Sequence, residues 1–396
     1  MKTSINQRYT ALDVLRGMTI AGMILVNNPG SWGMIFPPLR HAEWSGCTPT
    51  DLVFPFFLFI VGAALSFSFA KYNEELNAKS LKKIIKRSLL IFLTGLALNA
   101  FPFYPTSPDP QLSFGANYLE YLQHIRIFGV LQRIAMCYLV GGIVALWLQK
   151  PKKIIAGMVA LAALHWIILW NFGGYSPFSL EENISGPIDV MLVGVDHVYK
   201  GFGIAFDPEG VLGVLSGSVT VLLGFLMGGI IRKSQEKINA VGSLYTIGLI
   251  SLGTGVVLSI FIPIIKALWT PSYVFYAGGW SILMLAFFIY LIDIKGKEKY
   301  FYPFKALGLN PLFAFVMAGV FSKLLGRVIK WSTMVLQDDG TMKEVTTSAS
   351  TWLYKNCCVS LLGNNEWGSL LYALVYVAIF TGMAIFLYKK KIVIKL

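Results

Sequence analysis

The chain has 396 residues, 56% of them hydrophobic and 13% charged, with a mean hydropathy of +0.65. That balance excludes an ordinary soluble domain and a disordered chain, and points to helices that face lipid. The formal net charge of +13 would suit nucleic acid or a membrane surface, and its placement along the chain decides for the membrane.

Apolar runs predict about ten spans, near residues 11–28, 51–70, 86–104, 126–148, 153–171, 210–231, 243–264, 274–293, 306–324 and 369–388. Helices satisfy their own backbone in lipid, so the expected fold is an all-α polytopic transmembrane bundle, a single domain over 1–396. The short segments 1–8, 71–87, 149–153, 232–238, 294–305 and 389–396 hold 22 of the 33 Lys and Arg. This asymmetry puts both termini in the cytoplasm and the basic segments against anionic lipid. The expectation is an integral multi-pass protein of a bacterial inner membrane, with no nucleic-acid partner; a homodimer is compatible with it. The opposite segments, 29–50, 105–125, 172–209 and 325–368, are longer and rich in Pro, Gly and aromatic residues, and can build an outward pocket. No small-residue cleavage pattern follows the first apolar core, so that span reads as retained.

Along the chain, Asp13 and Arg16 share a helix face at the cytoplasmic end of span one, as an orienting pair or as part of a cofactor site. Asn27 and Asn28 close that span, as caps or as site residues. His41 follows in a short polar loop, where an imidazole at a membrane face is a candidate acid or base. Thr48, Pro49 and Asp51 read as N-cap, first helical residue and closure of a capping box. In the fourth span Arg126 and Arg133 are seven apart on one stripe, with Gln132 beside the second. Arg133 lies deep enough to require an anion, either Asp51 or a ligand phosphate. Asp196, His197 and Lys200 form one outer cluster, and Asp207 and Glu209 another, with Asp207 able to cap the sixth span. Gly210, Gly213 and Gly217 suit helix packing, since no GK[ST] follows to make a phosphate loop. Lys266 and Trp269 are interface anchors or site residues. His124 reads as interfacial and His165 as packed inside a span. Cys47 could pair with Cys357 or Cys358, or all could be free, and no spacing suggests a metal site.

The stretches LDVLRG, VNN, LRHAEWSGCTPTDLVFPFFLFIVG, RIFGVLQRIAMCYL, DHVY, FDPEG and PIIKALWT resemble, in order, the heparan-α-glucosaminide N-acetyltransferase family of transmembrane acyltransferases and its bacterial relatives. The resemblance implies that acetyl-CoA donates its acetyl group across the membrane to the amine of a glucosamine-type sugar. It puts the active histidine on His41 and the neighbouring active-site asparagine on Asn27. CoA phosphates would suit the cytoplasmic cations or the buried arginines, with Arg126, Gln132, Arg133, Arg16 and Asp13 as donor-site candidates. Asn28, Asp51, His197, Asp207, Glu209, Lys266 and Trp269 are then acceptor-site candidates, and no metal is expected. The chain departs from the animal enzymes in having no large N-terminal luminal domain and in VNNPGSWG, which leaves the acceptor open. A sugar transporter, or transfer to a hydroxyl of a cell-envelope polysaccharide, are the other readings.

Overall fold

The computed structural model describes residues 9–394 apart from 73 and 337–340, so the basic segment at 1–8 lies outside the described residues. In chain order the longer elements are α1 (Thr10–Asn27), α2 (Pro49–Phe69), α3 (Ala78–Ala100), α4 (Phe114–Gln123), α5 (Val130–Leu148), α6 (Pro151–Phe172), α7 (Ser185–Val193), α8 (Val214–Lys233), α9 (Lys237–Leu258), α10 (Pro271–Phe288), α11 (Tyr302–Leu309) and α12 (Pro311–Lys323). A hairpin, β1 (Lys330–Leu336) and β2 (Met342–Ser348), and a C-terminal helix, Glu366–Lys389, complete the chain.

Among the described residues, nine helices are long and apolar enough to cross a membrane: α1, α2, α5, α6, α8, α9, α10, α12 and the C-terminal helix, with α10 and α12 lengthened by π-helical turns. The molecule is an integral multi-pass helical bundle. The remaining expected span corresponds to α3, which is 23 residues long but opens on Lys79, Lys82, Lys83, Lys86 and Arg87. Its start is fixed by Asn77, whose side chain accepts the amides of Lys79 and Ser80 while Ser80 Oγ accepts the Asn77 amide.

Two helix pairs approach until only glycine fits. A Cβ on Gly62 of α2 would lie 2.0 Å from the Val221 carbonyl oxygen of α8, and one on Gly224 would lie 1.9 Å from that of Phe59. Gly17 of α1 and Gly308 of α11 are related in the same reciprocal way, each 1.8 Å from a carbonyl oxygen of the other helix. Small residues are how helices pack closely in lipid, where the hydrophobic drive between them is absent. Both pairs anchor the helices whose ends carry the site.

The all-α bundle is as expected, two expectations change within it, and a hairpin is added. α5 begins at Val130, because Gly129 is fully extended at φ 167, so Arg126 lies before the helix and shares no stripe with Arg133. Arg133 is therefore in the first turn, not deep in the span. α8 begins at Val214, so Gly210 and Gly213 precede it; they pack against Asp189 and Arg133, and Gly217 against Cys137. The hairpin, with Lys330 opposite Ser348, adds strand to a bundle expected to be all helix; Thr333, Val345, Thr346 and Thr347 supply the β-branched residues for it.

Candidate functional site

Three loops and two helix ends meet at the end of the bundle opposite the Lys and Arg clusters. Gly46, at φ +106 in the left-handed region that glycine tolerates, donates its amide to the Ile264 carbonyl at 2.8 Å and bridges to Ile265. This docks the 41–48 loop on the 262–270 loop. Trp44 fixes it to a third segment: its Nε1 donates to the Phe178 carbonyl at 2.8 Å, and its ring meets Phe202 and Phe206 edge to face. Beneath them Leu169, Phe206, Leu212, Ile265 and Leu268 form an apolar cluster separate from the main core. That small core holds His41, Glu209 and Lys266 near one another.

The capping box at Thr48 and Asp51 is present. Asp51 Oδ2 accepts the amides of Thr48 and Ala42 and the Thr48 hydroxyl, each at 3.0 Å, so the group that starts α2 also fixes the loop before it. Its Oδ1 is 2.7 Å from His41 Nδ1. An acceptor-only carboxylate at that distance requires Nδ1 to carry the proton, which leaves the imidazole lone pair on Nε2. Lys266 Nζ lies 3.0 Å from Nδ1 and 3.2 Å from Asp51 Oδ1. With Nδ1 protonated, its hydrogen bond goes to the carboxylate. The side chains are 44% exposed for His41, 1% for Asp51 and 23% for Lys266, so a buried anion supports a reachable imidazole and ammonium. Beside them, burial first and Asp51 second push the Cys47 thiol up to about 12, against the effect of Lys266, so it stays protonated near neutrality.

A cavity of about 90 Å³ opens on this group, lined by Asn27, His41, Glu209 and Lys266 with Val53, Phe54, Val130 and Phe315. Across it, Arg126 Nε and Nη2 donate to Asp207 at 2.9 and 2.7 Å, and Nη2 also to Glu209 Oε2 at 2.5 Å. Burial alone would lower the Arg126 pKa; the two carboxylates raise it beyond its ordinary value and keep the guanidinium charged. Arg133 does not meet Asp51. Its Nη2 donates to the carbonyls of Pro208 and Gly210 at 3.1 and 2.7 Å, and its guanidinium lies 5.4 Å from the Trp269 ring.

Other expected residues take different places. Asn28 turns back into α1, its Nδ2 donating to the Ile24 carbonyl, which is the capping role. Trp269 is 1% exposed and packs on Phe54 and Tyr273, so it is core and not an interface anchor. Gln132 is buried against Gly95 and Gly129. His197 Nδ1 donates to the Ile125 carbonyl and holds the irregular segment before α5, while Asp196 pairs with Lys200 at the surface. His124 is exposed, and His165 is fully buried in α6 beside Ser216. The four cysteines are free, and no cluster among the described residues could hold a metal.

Asp13 and Arg16 pair at 3.2 Å near the basic end. There Arg16 lines a second, larger cavity of about 720 Å³ with Lys83, Lys86 and Arg87, over an apolar floor that includes Phe57, Val61, Ile134 and Leu312. The three cations of α3 belong to the cytoplasmic basic segment, which the sequence offers for CoA phosphates only as a group, with none of the three singled out. Their signal was available: Lys83, Lys86, Arg87 and Leu90 follow helical spacing and define one face. The two cavities succeed each other on the same helices. Phe54 and Phe57 of α2, Val130 and Ile134 of α5, and Phe315 and Leu312 of α12 are each about one turn apart.

Residues 8–180 match a family model described as heparan-α-glucosaminide N-acetyltransferase, catalytic. The curated heparan-α-glucosaminide N-acetyltransferase of Homo sapiens is 28% identical over 401 residues, covering 87% of this chain and 57% of the relative. The Mus musculus enzyme of that name is 27% identical over 372 residues, covering 80% and 54%. The chain thus spans a little over half the length of the curated relatives it matches. These matches support the family that the motifs resemble. The matched segment carries Asn27, His41, Asp51 and Arg126, and the longer alignments extend beyond it.

Proposed function

We propose that this relative of the heparan-α-glucosaminide N-acetyltransferases moves an acetyl group from acetyl-CoA, bound at the basic end, to an amino-sugar acceptor at the opposite, outward end of the bundle. The observation that carries the reading is the pair of cavities on one seam of α1, α2, α5 and α12: four cations around an apolar cleft at one end, a carboxylate-supported imidazole at the other. CoA joins phosphates to a long flexible arm and a thioester. Its phosphates suit Lys83, Lys86, Arg87 and Arg16, and the arm suits the apolar floor between Phe57 and Ile134. From Arg16 to Asn27 α1 rises about 16 Å, a distance such an arm spans.

At the outer end His41 Nε2 holds the lone pair that either route to acetyl transfer requires. It takes a proton from the acceptor nitrogen, or it attacks the thioester and passes the acetyl group on. Asp51 steadies the imidazolium or acyl-imidazolium that results, and Lys266 balances the carboxylate. Asn27, at the exposed end of α1, can donate its amide to the tetrahedral oxyanion, a contribution of about 3–4 kcal/mol when well placed.

The test is transfer of radiolabelled acetyl from acetyl-CoA to glucosamine by purified protein in detergent. His41→Ala should lower turnover by about 10²–10⁴-fold while leaving donor binding intact, and His41→Gln should not restore it. Near-wild-type turnover in either variant contradicts the reading.

A further inference from the structure

The turn at 207–211 is held more firmly than a connection between two helices needs. Arg126 grips it through Asp207 and Glu209 on one side, and Asp207 Oδ1 accepts the Glu209 amide at 2.9 Å. On the other side Arg133 holds the carbonyls of Pro208 and Gly210, and Asp189 Oδ1 accepts the Val211 amide at 2.8 Å. What these contacts fix is Glu209, whose side chain lines the His41 cavity and is 13% exposed.

Glu209 shares its cation. Arg126 gives two nitrogens to Asp207 and only Nη2 to Glu209, and of these three groups Glu209 alone lines the cavity. Arg133 and Asp189 stand behind the turn, fully buried, and do not line the cavity. A partly desolvated carboxylate with half a partner is a receptor for a cation.

We infer that Glu209 is the specificity-determining residue of the acceptor site, binding the acceptor as a protonated amine and disfavouring a neutral hydroxyl. The inference rests on the acetyl-transfer reading and narrows its substrate class. The proton count is consistent with it. The bound ammonium loses one proton to His41 Nε2, and the freed amine adds to the thioester carbonyl, forming the C–N bond of a tetrahedral intermediate. That intermediate loses a second proton and collapses as the C–S bond breaks; the sulfur leaves as thiol with one of the two protons, and the other passes to solvent.

The experiment compares wild type, Glu209→Gln and Glu209→Asp, with glucosamine and glucose as acceptors and a quaternary-ammonium analogue of glucosamine, which cannot be acetylated, as a binding probe. Glu209→Gln should raise KM for glucosamine by about ten- to a hundredfold, as loss of one charged hydrogen bond implies, with kcat and donor affinity changing much less. Glu209→Asp should recover part of the loss, and the preference for glucosamine over glucose should narrow only in the Gln variant. An unchanged KM for glucosamine in folded Glu209→Gln overturns the assignment. Should the Gln variant fail to fold, wild type decides: the quaternary analogue should bind at least about tenfold more tightly than glucose, and equal binding overturns the assignment. If wild type transfers acetyl to neither sugar yet binds the quaternary analogue selectively, the transfer reading fails and the cation site stands.

Discussion

Asp51 does two jobs at once. Its Oδ2 closes the capping box that begins α2, and its Oδ1 orients His41, so the residue that starts a membrane helix also sets the imidazole tautomer. Asp189 shows the opposite economy: it is fully buried outside the spans and has one oxygen without a partner. Burial first, with Asp207 adding to it, pushes its carboxyl up to about 7, against the Val211 amide and Arg133. A carboxyl raised above its unfolded value near 4 holds its proton more tightly when folded. The stability from this is therefore full below about pH 4 and is lost as pH rises through about 7. Wild-type thermal stability in detergent should fall between pH 5 and pH 7 with a component of at most about 1.4 kcal/mol per pH unit from this group. Asp189→Asn should remove that component, since its oxygen can still accept the Val211 amide. Parallel pH profiles for the two proteins would contradict the account.

At the level of elements, the helices and the capping box were legible in the sequence because apolar length and a Thr-Pro-x-Asp start act locally. Loop docking was not. Lys266 reads as an anchor or a site residue, and nothing in PIIKALWT decides between them by revealing that Gly46 pairs with Ile264 and brings His41 to it. Arg126 and Arg133 read as one stripe because the apolar run continues through Gly129; the extended backbone there separates them, and they meet again only on the 207–210 turn. The α2–α8 contact is equally hidden, since Gly62 and Gly224 are ordinary small residues until their partners are known. Gly224→Ala would place a Cβ 1.9 Å from a backbone oxygen and should cost about 1–3 kcal/mol, read as a lowered Tm, with reduced transfer because α2 carries Asp51. Gly242→Ala on α9, where the Cβ meets nothing within 4 Å, should be neutral or slightly stabilising. Equal effects of the two substitutions would contradict the close packing.

For the whole molecule, the partition of Lys and Arg sets the proposed orientation, and the orientation gives the two cavities their meaning. In the proposed orientation the basic cavity faces the cytoplasm, where CoA is made, and His41 lines the cavity at the other end. The account's central claim is that acetyl passes between these ends through the α1, α2, α5 and α12 seam. The most direct measurement reconstitutes the protein in sealed vesicles, selects one orientation, and supplies labelled acetyl-CoA only on the side bearing residues 78–87 and glucosamine only on the other. The account predicts acetylated glucosamine on the acceptor side, with no product when the two substrates are exchanged between sides. Product formed only when donor and acceptor share one side would contradict it.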